Sequence, residues 1–379
     1  MLRGKKFFRE FKYIIYQEEV MRKALFFKQF FMMLFSLTLI NHLQARLLSK
    51  SHVSPVSIEE TELLKELRSF MEELSDKDEF SGVVLLAKDG KPIFLQAFGF
   101  ASKEYRVPNN INTCFNIGSI NKFMTRIAIE QLKETGKIRL EETIGKYLPD
   151  YPLQEAREKV TIGHLLEMSS GIGDFFGERY QSTPKEKIRN LADYLPLFAD
   201  KPLLFEPGTK TQYSNGSYIV LGLIIEKISG GSCFDYVKKN IYKIAGMENT
   251  DHFEADIPVE NVASGYTRFW NGREHPNEPR RNNIYTRPAR GSSAGGGYST
   301  AEDVVNLILT LKDNKLSAPE TSREITHNSI VLAGGAPGIS ALVETFLKKG
   351  YVLIALSNYD PPSAEKVGKK IESLINRLN

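Results

Sequence analysis

The stretch "CFNIGSINKFMTR" (residues 114–126) sets a serine, Ser119, three residues before a lysine, Lys122. A serine hydroxyl is a weak nucleophile until a base stands beside it. On the first turn of a helix, residues three apart project from one face, within hydrogen-bond reach. Burial there disfavours an ammonium and lowers its pKa, so a buried lysine can accept the serine proton. The helix N-terminus favours negative charge on the serine oxygen, and free backbone N–H groups can hold an oxyanion. Taken alone, the pair reads as a capped helix start with a solvated amine, so its surroundings decide.

A second chemical cluster lies in "FEPGTKTQYSNGSYIVLG", where Tyr213, Ser214 and Asn215 precede a strongly apolar helical run. A phenol beside a lysine loses its proton more readily and can pass it to a leaving group. An Asn amide at 215 can hold the lysine or a substrate amide. A competing serine motif is "GSSAG" (291–295), with Ser293 central and Asp313 and His327 following in α/β-hydrolase order. That motif requires a buried strand before it. "YTRPAR" is not one, and the glycine-rich run reads better as a close backbone approach ahead of the next helix.

The elements around these residues follow from periodicity. "SIEETELLKELRSFMEEL" is an amphipathic helix, and "GVVLLAK" and "KPIFLQAF" around Asp89-Gly90 form a hairpin. "SINKFMTRIAIEQLKETG" is a helix ending at Gly136. From about 140 to 250 the pattern is mainly helical, including "KIRNLADYLPLF", "SYIVLGLIIEKIS" and "SCFDYVKKNIYKI". Thr300 with Asp303 resembles a capping box. "ISALVETF" and "YVLIALSN" around "KKG" make a second hairpin before a last amphipathic helix. Strands near both ends with helices between them imply an α+β fold: an antiparallel sheet from both termini, flanked by terminal helices, with an inserted all-helical lobe.

The two motifs in this order, with "FSGVVLLAKDGKPIFLQAFGFAS", "VTIGHLLEMSSGIGDF", "AGGGYSTAEDVV" and "GGAPGISA", resemble the serine β-lactamase and penicillin-binding-protein-like hydrolases. The similarity is to the branch of class C β-lactamases, DD-peptidases and β-lactamase-fold esterases, and it spans about Phe80 to Leu378. The resemblance implies Ser119 as acyl-accepting nucleophile, Lys122 as its partner, Tyr213 as general base and acid, and Asn215 as orienter of lysine and substrate. It implies no metal and no cofactor, and the six His residues form no HExxH pair. The family's third motif is Lys or His, then any residue, then Gly. Here Leu332 takes the cationic place, Gly334 the glycine, and Gly335 offers the oxyanion N–H. "LSAPETSREITHNSI" (316–330) is short for a family that carries a further strand there, so either an exposed neighbouring edge or a gap in the sheet is expected.

The implied activity is hydrolysis of an ester, peptide-like amide or β-lactam through a Ser119 acyl-enzyme. The altered third motif leaves an alternative, a catalytically impaired sensor or peptidoglycan-interacting protein. Partners are then a small-molecule or peptidoglycan-like substrate. With 41% hydrophobic and 25% charged residues the 379-residue chain can build an ordinary core. No basic, aromatic-interleaved stripe points to nucleic acid. Met21-Arg22-Lys23, the uncharged run Phe30 to Ile40 and Ala45 read as a signal peptide over 1–45. The run falls short of the roughly 20 residues of a spanning helix, and the alternative is an uncleaved anchor that associates the protein with a membrane. Residues 46–56 read as a linker and 57–379 as the hydrolase domain, exported to the periplasm or the exterior. Cys114 and Cys233 are expected as small buried residues, His164 as a packing histidine, and Phe175, Phe176 and Trp270 as candidate cleft aromatics.

Overall fold

The computed structural model describes residues 58–326 and 329–378. The signal or anchor segment, the linker and His327 lie outside the described residues. The chain runs through helix α1 (Ile58–Asp76), strands β1 (Gly82–Lys88) and β2 (Lys91–Phe98), and helices α2 (Asn121–Glu134), α3 (Asn215–Ser229) and α4 (Ala301–Lys312). Strands β3 (Val331–Ala336), β4 (Ile339–Phe346) and β5 (Tyr351–Ser357) follow, then helix α5 (Ser363–Asn376). One five-stranded sheet forms in the order β3-β4-β5-β1-β2, antiparallel throughout. The first and last strands of the chain therefore meet inside the sheet, with Leu85 opposite Ile354. This is the α+β arrangement expected from the sequence, an antiparallel sheet built from both ends of the domain and flanked by its first and last helices.

Side chains alternate across a strand, so the continuous apolar run of β1 serves two cores. Val84 and Leu86, with Leu353 and Ala355 of β5, pack under Leu67 and Met71 of α1 and Val367 and Ile371 of α5. Val83, Leu85, Ile354 and Leu356 face the other way, into a larger core with α2, α3 and α4. Asp89 and Gly90 both take positive φ, 48° and 77°. A tight two-residue hairpin turn requires that pairing.

The helical lobe is more broken than its periodicity predicts. "KIRNLADYLPLF" is a 3-10 turn, Leu191–Tyr194, followed by one α-turn, Leu195–Phe198, rather than a helix. "SCFDYVKKNIYKI" passes through a π-turn at Lys238–Tyr242. Thr300 caps α4 through the Asp303 N–H, but the Asp303 carboxylate turns away to accept from Asn249 N (2.8 Å) and Thr250 Oγ1 (2.7 Å), so half of the expected box is made. Cys114 and Cys233 are buried free thiols, each pushed above its usual pKa chiefly by burial. Between Leu316 and Ile330 stands a short helix, Pro319–Thr326, and β3 is left as the sheet's edge strand.

Leu67 is fully buried between α1 and the sheet. Leu67→Ala should lower unfolding free energy by about 2–5 kcal/mol, read by urea denaturation. A loss below about 1 kcal/mol would mean that α1 does not seal this core.

Candidate active site

Ser119 sits in a 3-10 turn, Gly118–Ile120, that feeds directly into α2. Gly118 has φ 51°, and its N–H donates to Asn116 Oδ1 at 2.9 Å. That left-handed conformation suits glycine. The turn lifts Ser119 out of the helix while Lys122 stays in the first turn of α2. The Ser119 Oγ lies 2.6 Å from Tyr213 Oη and 3.2 Å from Lys122 Nζ. The sequence pattern puts the serine at the helix start; the 3-10 turn places it just ahead.

Lys122 is only 7% exposed. Its Nζ donates to Asn215 Oδ1 at 2.7 Å and closely to the Ala294 carbonyl oxygen. Tyr213 and Tyr218 put their rings 4.8 and 5.7 Å from the same nitrogen. Burial lowers the Lys122 pKa to about 7, and the negative charge of Asp174 acts against that fall. A neutral amine carries two N–H donors and one lone pair. With Asn215 and Ala294 accepting both donors, the lone pair is left for the Ser119 hydroxyl.

The acceptors are themselves fixed. Ser214 caps α3 by accepting from Ser217 N at 3.0 Å, which sets Asn215 as the first residue of the helix. Asn215 Nδ2 donates to Asp174 Oδ2 at 2.7 Å. A carboxylate only accepts, so the amide oxygen must face Lys122. Asp174 also takes the Phe176 N–H at 2.9 Å, tying the lysine's support to an aromatic wall. Tyr213 is 54% exposed as a residue, yet its hydroxyl is turned in on Ser119. Its pKa is raised, first by burial of the phenol oxygen, so the phenol is protonated near neutral pH.

β3 closes the other side. Thr345 N donates to Ile330 O at 3.0 Å, marking that pair as hydrogen-bonded. Antiparallel pairs alternate, so the amides of Val331, Ala333 and Gly335 turn away from β4, off the open edge. Gly335 N lies 3.1 Å from where a Cβ on Gly118 would stand. A Cβ on Gly334 would collide with the Ile117 carbonyl oxygen and stand 3.1 Å from Ser119 N. The N–H groups of Ser119 and Gly335 thus border one turn, an arrangement suited to an oxyanion. Leu332 does not face the cavity: it is half-buried against the main core, and β3 lines the cavity with Ala333, Gly335 and Ala336.

The cavity over Ser119 has a volume of about 560 Å³. Phe175, Phe176, Tyr180, Tyr194 and Phe253 form much of its wall. Trp270, one of the candidate cleft aromatics, is not there; it is half-buried and stacks on His275 at 4.0 Å between ring centroids. Ser293 is buried and donates to Tyr218 O at 2.7 Å, which removes it as a nucleophile, and Asp313 pairs with Lys315 at 2.9 Å near the surface. His164 caps a short helix with Thr161 instead of packing in a core. Asp174 and the Ala294 carbonyl escape a reading of the sequence. Asp174 lies in the glycine-flanked "SSGIGDF", a usable signal; a backbone acceptor contributed 172 residues away from Lys122 leaves none.

Gly334→Ala should push β3 off the Ser119 turn. The expected outcome is a loss of about a hundredfold in acylation rate with a destabilisation of about 1–3 kcal/mol, read by probe-labelling kinetics and urea denaturation. Unchanged acylation would contradict the contact.

Residues 67–372 match the family model described as Beta-lactamase. Penicillin-binding protein 4* of Bacillus subtilis (strain 168) is 29% identical over 333 residues, covering 78% of this chain and 71% of that protein. The crystal structure of a penicillin binding protein from Bacillus halodurans superposes with a TM-score of 0.72 at 30% identity, over 81% of this chain and 99% of that one. The D-amino acid amidase of Ochrobactrum anthropi SV3 shares the fold, with a TM-score of 0.72 at 20% identity over 84% and 100%. With a serine, a buried lysine and a tyrosine converging beneath this cavity, the chain belongs to the Beta-lactamase family of serine hydrolases.

Proposed function

We propose that the protein hydrolyses an ester or a small peptide-like amide through an acyl-enzyme at Ser119. The observation that carries this reading is the Lys122 amine, buried, held on two fixed acceptors and aimed at Ser119 Oγ. In the first step Ser119 Oγ bonds to the substrate carbonyl carbon and its proton passes to Lys122 Nζ. The oxyanion lies on the N–H groups of Ser119 and Gly335. The carbonyl then re-forms, and the leaving alcohol or amine takes a proton through Tyr213 Oη, which recovers it from Lys122. Water next attacks the acyl ester, gives its proton to the same pair, and releases the acid as Ser119 regains its hydrogen.

Lys122 suits the acceptor role better than Tyr213. Burial lowers the lysine pKa to about 7, so its neutral form is accessible near neutral pH, whereas burial favours the protonated phenol. The side chain at 332 supplies no cation, which favours an ester or amide over a substrate that needs a carboxylate held at that position. The Leu332 replacement also motivates a second reading, a sensor or peptidoglycan-binding relative that no longer turns over. The export signal read at the N-terminus would bring either version to a cell-wall-like substrate.

Mass spectrometry after treatment with a fluorophosphonate and with a penicillin separates the readings. The expected result is a single covalent adduct on Ser119 from at least one probe, absent in Ser119→Ala. No adduct from either would leave the binding reading standing. Acylation by a neutral ester should rise with pH through about 7 as Lys122 loses its proton. Asp174 favours the ammonium, so Asp174→Asn should move that midpoint to lower pH. A midpoint that stays put or rises would argue against Lys122 as the proton acceptor.

A further inference from the structure

Segment 283–291 is strung between the sheet and the helical lobe. At one end Asn283 Nδ2 donates to Pro337 O, in the β3–β4 turn, at 2.9 Å. Beyond it Tyr180 Oη donates to Thr286 O at 3.1 Å, and Ala289 N donates to Lys185 O at 2.9 Å. Residues 286–288 are thereby held on both sides while they line the cavity over Ser119.

Arg287 stands in the middle of this span. It is the one ionised side chain among the described residues that line the cavity. It has no hydrogen bond or ion pair with any described residue, and its neighbours differ. Arg290 donates to His252 O and lies over the Phe234 ring, Arg281 lies over Trp270, and Arg189 pairs with Glu254 and Asp256. A guanidinium presents a fork of donors that matches a carboxylate, and aromatic walls keep water from competing for it. No acidic residue among those described lines the cavity to neutralise it.

We propose that Arg287 makes the cavity a subsite for a carboxylate carried by the substrate. Recognition of charge then lies on the 283–291 segment, while the position where the family places a cation holds Leu332. The occupant is an ester or amide with an apolar body against Phe175, Phe176 and Tyr180 and one carboxylate reaching Arg287. This assignment rests on the proposed Ser119 reaction for its turnover and on Arg287 alone for its binding.

The test compares kcat/KM for phenyl butyrate, monophenyl glutarate and 3-carboxyphenyl butyrate at low salt. The second ester carries its charge on the acyl part and the third on the leaving group. The wild type should prefer one charged ester over the neutral one by about tenfold to a hundredfold, and added salt should shrink that ratio. Arg287→Gln should bring the ratio close to one, and Arg287→Lys should retain part of it. A ratio of one or less in the wild type for both charged esters, or a ratio that Arg287→Gln leaves intact, would overturn the proposal. Calorimetric binding of glutarate to Ser119→Ala, with and without Arg287→Gln, reads the subsite without turnover. Glutarate binding that depends on Arg287 in a protein that turns over no ester would leave the subsite standing and sink the reaction. Ester turnover with no Arg287 dependence in either assay would do the reverse.

Discussion

The burial of one amine governs this site. A lysine in water is an ammonium and no base at neutral pH. In the proposed mechanism Lys122 becomes one because α2, α3 and the 291–297 loop remove it from water while giving it two acceptors and no close ion-pair partner among the described residues. The residues that do this are not reactive themselves. Asn215 is held by Asp174, Asp174 holds the Phe176 amide, and the Ala294 carbonyl is fixed by the loop in which Ser293 is anchored to Tyr218. The activation proposed for Ser119 therefore draws on the whole seam between lobe and sheet.

The sheet contributes a second constraint, steric this time. β3 approaches the Ser119 turn so closely that position 334 has no room for a Cβ. The same approach brings the Gly335 amide to the turn, and since an amide N–H does not depend on its side chain, Leu332 leaves that part of the wall unchanged. Being the edge strand leaves β3 free to turn alternate amides off the sheet and into the cavity side. A further strand beyond it is absent among the described residues, and Val331 is accordingly 59% exposed.

Ser119, Lys122, Tyr213 and Asn215 stand out in the sequence through the order of the two motifs and the resemblance they carry, since a helix-start spacing alone reads as structure, and the fold brings the four side chains together. The central hairpins were legible because Asp89-Gly90 and the runs beside it leave few alternatives. What stayed hidden depends on contacts distant in sequence. Asp303 reads locally as half of a capping box, yet Asn249 and Thr250 draw its carboxylate elsewhere. "KIRNLADYLPLF" has helical spacing, but Asn190 and Asp193 close a tight turn before Pro196. The type of Trp270 left a cleft position and an ordinary half-buried position both open, and its stacking on His275 gives the second.

The most direct measurement is an NMR titration of the Lys122 side chain, with lysine carbons labelled and the resonance assigned by its absence in Lys122→Met. Burial against two neutral acceptors predicts an apparent pKa of about 7. A midpoint near 10, the ordinary lysine range, would show an ammonium at Ser119 and contradict the account.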